Sequence, residues 1–136
     1  MKGYLLDTNV ISELLKKRPA VQVTNRFRVV QTEQLFTSVI CVMELRYGAI
    51  RHPLGKQLWK RIVDEVLTQL QILHLGWEEA DMAGEILAKL EKSGTPIGVE
   101  DILIGATALT HELIVVTRNT KHFLYIQDLA VENWWD

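Results

Sequence analysis

The sequence predicts an α/β fold in three layers, with helices covering both faces of a mostly parallel central sheet. Two observations predict it. Short apolar or β-prone runs, "GYLLD", "QLFTS", "QILHL" and "IVVT", alternate with amphipathic stretches of helical period. That alternation is the pattern of strands joined by crossover helices. No repeat, low-complexity tract or linker interrupts the 136 residues, which suits one domain spanning 1–136. In such folds, ligands bind beyond the carboxyl ends of the strands.

The elements follow in order. "GYLLD" reads as a short buried strand. "TNVISELLKK" carries apolar residues at 10, 11, 14 and 15, one face of a helix, and Pro19 ends it. "AVQVTNRFRVV" is a second helix, weakened by its β-branched residues. After the short strand "QLFTS", the stretch "VICVMELRYGAIRH" reads as a helix that Pro53 stops. "GKQLWKRIVDEVLTQL" is amphipathic throughout, with Leu58, Trp59, Ile62, Val63, Val66 and Leu70 recurring every three or four residues. "QILHL" is a strand. "WEEADMAGEILAKLEKSG" is a helix with Trp77, Ala80, Ala83, Ile86, Leu87 and Leu90 expected inward and Gly94 past its end. "VEDILIGATALTHEL" is a helix, "IVVT" a strand, and "LAVENWW" a last strand.

Composition narrows the function classes. The net charge is −2, with both signs mixed along the chain, which argues against a globally basic, non-specific nucleic-acid binder. An enzyme with an acidic pocket and a local basic rim remains open. Cys41 is the single cysteine and sits among apolar neighbours, so a buried free thiol and a reducing, cytoplasmic setting are expected. The first apolar run is broken by Asp7 and is too short for a signal peptide, and no stretch reaches the ~20 apolar residues of a membrane span.

Three acids stand where chemistry is expected. Asp7 ends the first strand, and it reads either as a site carboxylate or as an N-cap of the next helix. Glu44, with Gly48 one turn on, either points into a cavity or lies on a solvated face beside Arg46. Asp101 and Glu100 open a helix, where the dipole favours acids. Gly105 one turn beyond Asp101 would leave room for a metal and substrate, which favours Asp101 as the inward acid. Thr117 stands at the end of "IVVT", Asn119 offers a neutral oxygen, and His122 reads as a ring-nitrogen donor or a surface residue beside Lys121. Two carboxylates ~4 Å apart repel by ~4 kcal/mol at an effective dielectric of 20. A divalent cation removes that conflict, and carboxylates with waters suit Mg²⁺ or Mn²⁺. Zinc fits less well, because the cysteine is expected buried and His52, His74, His111 and His122 show no ligand spacing.

Four blocks, "LLDTNVISEL", "MELRYGA", "PIGVEDILIGATAL" and "VVTRNTKHF", occur in that order. Together they resemble the signature blocks of PIN-domain proteins, specifically the VapC-like toxins of toxin–antitoxin pairs, of the FitB-like kind. The resemblance implies an α/β/α fold and a Mg²⁺- or Mn²⁺-dependent endoribonuclease site on Asp7, Glu44 and Asp101, acting both as metal ligands and as the catalytic set. It implies hydrolysis of RNA phosphodiesters, inhibiting translation and growth. It also implies a VapB-like antitoxin partner and a homodimer, with no membrane association. The fourth block departs from the family, which often places an acid at the position of Asn119 or His122. Either Asn119, Thr117 or His122 completes the site, or it holds one metal rather than two. Arg46, Arg118 and Lys121, close to the blocks, are the candidate RNA contacts. The departure also leaves a catalytically weak or inactive binding module as the alternative. A receiver-type phosphoacceptor domain is disfavoured, since "DTN" follows the first strand and no middle strand ends in Asp.

Overall fold

The computed structural model describes residues 3–136. Strand β1 (Tyr4–Leu6) runs into α1 (Thr8–Leu14) and α2 (Val21–Val29); β2 (Leu35–Ser38) into α3 (Val39–Arg51) and α4 (Gly55–Arg61). Strand β3 (Gln71–Leu73) leads to α5 (Trp77–Lys92) and α6 (Val99–Thr110), β4 (Ile114–Val116) to the short α7 (Thr120–Phe123), and β5 (Val131–Glu132) closes the sheet. The sheet order is β3-β2-β1-β4-β5, and every neighbouring pair is parallel.

Successive residues of one strand face opposite layers. Leu6 and Val116 therefore pack with Val10, Ile11, Val23 and Ile62 on one side. Leu5 and Val115 pack with Ile86, Leu90, Ile104 and Phe123 on the other. Trp134, fully buried, closes the first core edge-on to Tyr4 at 5.5 Å. The strand order reverses direction at β1 and β4: the chain builds outward from β1 through β2 and β3, then returns to the far side of β1. A crevice opens at the carboxyl ends of two such neighbours. Asp7 follows β1 and Thr117 follows β4, so the topology alone brings them to its two walls.

Three local features differ from the sequence reading. The amphipathic stretch 55–70 is not one regular helix. After Arg61 it widens into a π-helical turn (Ile62–Val66) and tightens into a 3₁₀ turn (Leu67–Gln69). The adjacent residues Val66 and Leu67, where the winding changes, are both buried. Helix α5 buries a narrower face than expected: Ala83, Ile86 and Leu90 are inward as read, and Trp77, Ala80 and Leu87 are not. Trp77 is 80% exposed and Leu87 42%, Ala80 is also exposed, and the buried positions are Glu79, Ala83, Ile86 and Leu90. Glu79 joins the buried face, its Oε1 accepting the Gly76 N–H (2.9 Å) and its Oε2 meeting His111 Nε2 (2.7 Å). The segment after β4, which carries no element in the sequence reading, forms a short helix, α7.

Gly105 has a different purpose from the expected one. A Cβ there would meet Ile126 Cδ1 at 2.6 Å and Leu129 Cδ2 at 3.4 Å. The missing side chain admits the C-terminal segment to α6 and does not clear space for a ligand. Gly105→Ala is expected to lose about 1 kcal/mol net, overpacking exceeding the helix-propensity gain. Ile126→Val removes the clashing methyl, so the double variant should be more stable in denaturant titration than the two single losses add up to.

Candidate active site

Asp7, Glu44 and Asp101 line one cleft of about 460 Å³, together with Thr8, Asn9, Ser12, Glu13, Lys16, Arg118, Asn119 and Trp135. The three sequence-distant acids arrive there by different routes. Asp7 is carried by the end of β1 and is buried. It is also the N-cap of α1, so the cap reading holds, and the same carboxylate lines the cleft. Glu44 sits on α3 at half burial. Gly48 lies one turn on, with nothing within 4 Å of a Cβ there, and the two residues share an adjoining groove. Asp101 is in the first turn of α6, with Glu100 beside it exposed. The preferred acid is therefore the one in the cleft, although the glycine argument that favoured it does not hold.

The carboxylates are held by donors. Asp7 Oδ1 accepts the Thr8 N–H (2.8 Å), and Oδ2 accepts the Thr117 hydroxyl (2.9 Å) and, longer, Asn9 Nδ2 (3.4 Å). Thr117 is fully buried, and its oxygen accepts Asn9 Nδ2 (3.2 Å) and the Asn119 N–H (3.0 Å). That hydroxyl is thus fully used in fixing Asp7. The Thr8 hydroxyl donates to Glu44 Oε1 at 2.6 Å. His122 Nδ1 lies 3.1 Å from Asp101 Oδ2, so His122 joins the site through an acid. Asn119 lines the cleft, and its peptide N–H is its bond to the network.

Of the candidate RNA contacts, Arg118 lines the cleft and Lys121 is exposed on α7. Arg46 lies over the Trp59 ring, 5.1 Å from its centroid, and borders a separate cavity.

Sequence reasoning gave no role to Thr8, Asn9, Ser12, Glu13 or Lys16. Their signal was present as polar residues at three- and four-residue spacing along α1 and the turn after it, with Glu13 among the buried positions. Glu13 caps the start of α2, accepting the Ala20 N–H (2.9 Å), and pairs with Lys16 (2.9 Å). The Lys16 bond and then the Ala20 N–H hold its carboxyl below the usual value.

The electrostatics are those of crowded acids. Burial pushes the Asp7 carboxyl up, and the charge of Asp101 adds to it; the bonds from Thr8, Thr117 and Cys41 only partly offset this. Burial likewise raises Glu44, with Asp7, Asp101 and Glu100 adding. One oxygen each of Asp7 and Glu44 lies within 4.8 Å of the other and of Cys41 Sγ. The thiol is fully buried and pushed up to about 11, first by burial and then by Asp7. It therefore stands as a neutral group beside the acids at neutral pH. What remains is an all-oxygen donor set, which suits a hard divalent cation rather than zinc.

A raised carboxyl binds its proton more tightly in the folded chain than in the unfolded one. Its contribution to stability is whole below the ordinary values of 3.8 and 4.5 and is lost as pH rises through the raised values. Glu44→Gln keeps an acceptor for the Thr8 hydroxyl but carries no charge. In chelator, its melting temperature relative to wild type is expected to increase as pH rises from the acid range to neutrality. A difference that shrinks or stays flat would mean that Glu44 is not held against repulsion.

Residues 4–128 match the PIN-domain family profile. The chain is 32% identical over 134 residues to the tRNA(fMet)-specific endonuclease VapC of Salmonella typhimurium, covering 98% of this chain and 99% of that one. It is 37% identical to the VapC ribonuclease Y4jK of Sinorhizobium fredii, covering 97% of each. Among solved structures it superposes on the FitAcB complex of Neisseria gonorrhoeae with a TM-score of 0.89 at 34% identity, covering 97% and 98% of the two chains. On VapBC2 of Rickettsia felis, solved bound to a promoter DNA fragment, the TM-score is 0.87 at 30% identity, covering 96% and 98%. The chain belongs to the PIN-domain family, among the VapC ribonucleases.

Proposed function

We propose that the protein is a metal-dependent endoribonuclease toxin that hydrolyses RNA phosphodiester bonds and is held in check by a VapB-like antitoxin. The observation that carries this reading is the meeting of Asp7, Glu44 and Asp101 in one cleft, with two of the three carboxyls raised by burial and mutual repulsion. Asp7, Glu44 and Asp101 would hold Mg²⁺ or Mn²⁺. When bound, such an ion activates water and stabilises charge on a phosphoryl group in transfer.

The chain's own residues set the geometry. Thr117 and the Thr8 N–H fix both oxygens of Asp7, and the Thr8 hydroxyl fixes one oxygen of Glu44. His122 fixes one oxygen of Asp101 through Nδ1. A donated Nδ1–H holds a carboxylate whether the ring is neutral or charged, so His122 acts here as a positioning residue. Asn119 offers its side-chain amide to the same cleft. Arg118 supplies positive charge on the cleft wall for the phosphate backbone, Lys16 there being paired with Glu13, with Lys121 farther along on α7.

The antitoxin assignment is supported by the solved relatives, which are toxin–antitoxin complexes. A groove of about 320 Å³ between α1, α3 and α4, lined by Leu15, Leu45, Gly48, Ala49, Leu58 and Ile62, adjoins the acids and would seat an apolar stretch of such a partner. A homodimer is part of the same reading: α3 presents Met43, Tyr47 and Ile50 outward, at 51%, 60% and 65% exposure. Among the described residues, no helix is long and apolar enough to cross a membrane. Cytoplasmic RNA is the proposed target.

The test is cleavage of total bacterial RNA by purified protein in Mg²⁺ or Mn²⁺ against chelator, with the cut ends mapped. Discrete cuts that vanish in chelator are expected. No cleavage under either metal, together with normal growth on expression without antitoxin, would favour a binding-only module.

A further inference from the structure

The four tryptophans have separate placements. Trp134 is buried in the core, with Nε1 donating to Glu132 Oε1 at 3.2 Å. Trp59 lies under Arg46, and Trp77 is exposed at the start of α5. Trp135 alone lines the cleft of the three acids. The Asn133 side chain accepts its N–H (2.8 Å), and its ring packs partly against the core. The Arg118 guanidinium lies over that ring, 5.2 Å from its centroid. The Arg118 N–H is tied to Asn9 Oδ1 (3.0 Å), so the start of this side chain is fixed to the same loop that holds Asp7. Arg26 and Arg61 are spent in ion pairs with Glu132 and Glu65. Arg118 instead faces the cleft, with an aromatic ring behind it.

We infer that Arg118 and Trp135 form a stacking platform for one unpaired nucleobase of an RNA strand that enters the cleft of the acids. This rests on the ribonuclease reading of the same cleft and names the form of its substrate. A guanidinium plane on an indole presents a flat, cationic surface, and unstacked bases dock on such aromatic and arginine planes. The cleft is of a size usual for small ligands, and an A-form duplex, with its bases paired and stacked inside, cannot offer a base to it. The strand is therefore engaged where it is single, in a loop, a bulge or an end. One base sits on Arg118, and the adjoining phosphate reaches the carboxylate end of the cleft.

The experiment uses the full chain in chelator, with a fluorescein-labelled single-stranded ribo-oligonucleotide and the same strand annealed to its complement, read by fluorescence anisotropy. The single strand is expected to bind at least about tenfold more tightly than the duplex. Arg118→Lys, which keeps the charge and loses the plane, and Trp135→Leu, which keeps apolar bulk and loses the ring, should each weaken single-strand binding about tenfold. Trp135→Phe should retain most of the affinity, and Trp77→Ala all of it. Wild-type affinity in Arg118→Lys would reduce Arg118 to a point charge and overturn the platform. Wild-type affinity in Trp135→Leu, equal loss in Trp135→Phe, or equal binding of duplex would overturn it too. A parallel arm adds Mn²⁺ and scores cleavage. Cleavage without these binding differences removes the platform and leaves the nuclease; the differences without cleavage remove the nuclease and leave the platform.

Discussion

Asp7→Asn is expected to lower RNA cleavage by about a hundred- to a thousandfold or more while leaving the fold intact. The size follows from removing a charged group from a preorganised site of phosphoryl chemistry. The intact fold follows from the second role of Asp7. Its Oδ1 caps α1 by accepting the Thr8 N–H, and Asn caps helices about as well as Asp. The substitution therefore separates charge from cap. In chelator, the melting temperature should stay level or rise, because burial and Asp101 both disfavour the Asp7 charge. In cells lacking the antitoxin, the variant should relieve growth arrest. Asp7→Ala would lose both functions, with roughly 0.5–2 kcal/mol of stability going with the cap. If Asp7→Asn destabilises the chain as much as Asp7→Ala while cleavage survives, then Asp7 is a structural cap and nothing more.

Thr117→Val should have the next largest effect, and on two readouts at once. The Thr117 hydroxyl is buried and joins three partners: it donates to Asp7 and accepts from the Asn9 amide and the Asn119 N–H. Valine matches its shape but offers no donor or acceptor. The groups left behind are partly buried, and an unmade bond of that kind costs about 1–3 kcal/mol. The loss should appear as a lower denaturant midpoint with an unchanged slope. Because Thr117 also sets the orientation of Asp7, Mn²⁺ affinity should fall by roughly ten- to a hundredfold. Thr117→Ser keeps the hydroxyl and should recover most of the metal affinity. Wild-type metal binding in Thr117→Val would mean that Asp7 holds its place without this network.

The parts legible in the sequence are those with a repeating or local signal. The strand "IVVT" and the helices of α1, α3 and α6 follow from apolar runs and period. The place of Asp7 at the end of a buried strand is legible, and so is its cap of α1. The four blocks then bring Glu44 and Asp101 to the same place. What stayed hidden depends on partners distant along the chain. The burial of Glu79 on α5 rests on His111, a contact across 32 residues that no helical period reports; apolar spacing found Ala83, Ile86 and Leu90 but also pointed to the exposed Trp77 and Leu87. The π turn at Ile62–Val66 reflects the surface on which the segment packs rather than its own composition. Gly105 reads as open space because a sequence shows only the missing side chain; it is Ile126, arriving from the C-terminal segment, that fills the gap. The bond of His122 to Asp101 likewise joins two blocks 21 residues apart, and only the path of α7 against α6 makes it.

The most direct test is a Mn²⁺ titration followed by electron paramagnetic resonance, comparing wild type with Asp7→Asn, Glu44→Gln and Asp101→Asn, each shown to be folded. If the three carboxylates share one dication, every single substitution should weaken Mn²⁺ binding by about tenfold or more, and none should lower the melting temperature in chelator. Mn²⁺ binding that survives all three substitutions unchanged would contradict it, and the cleft would then be an acidic surface without the ion on which the nuclease reading depends.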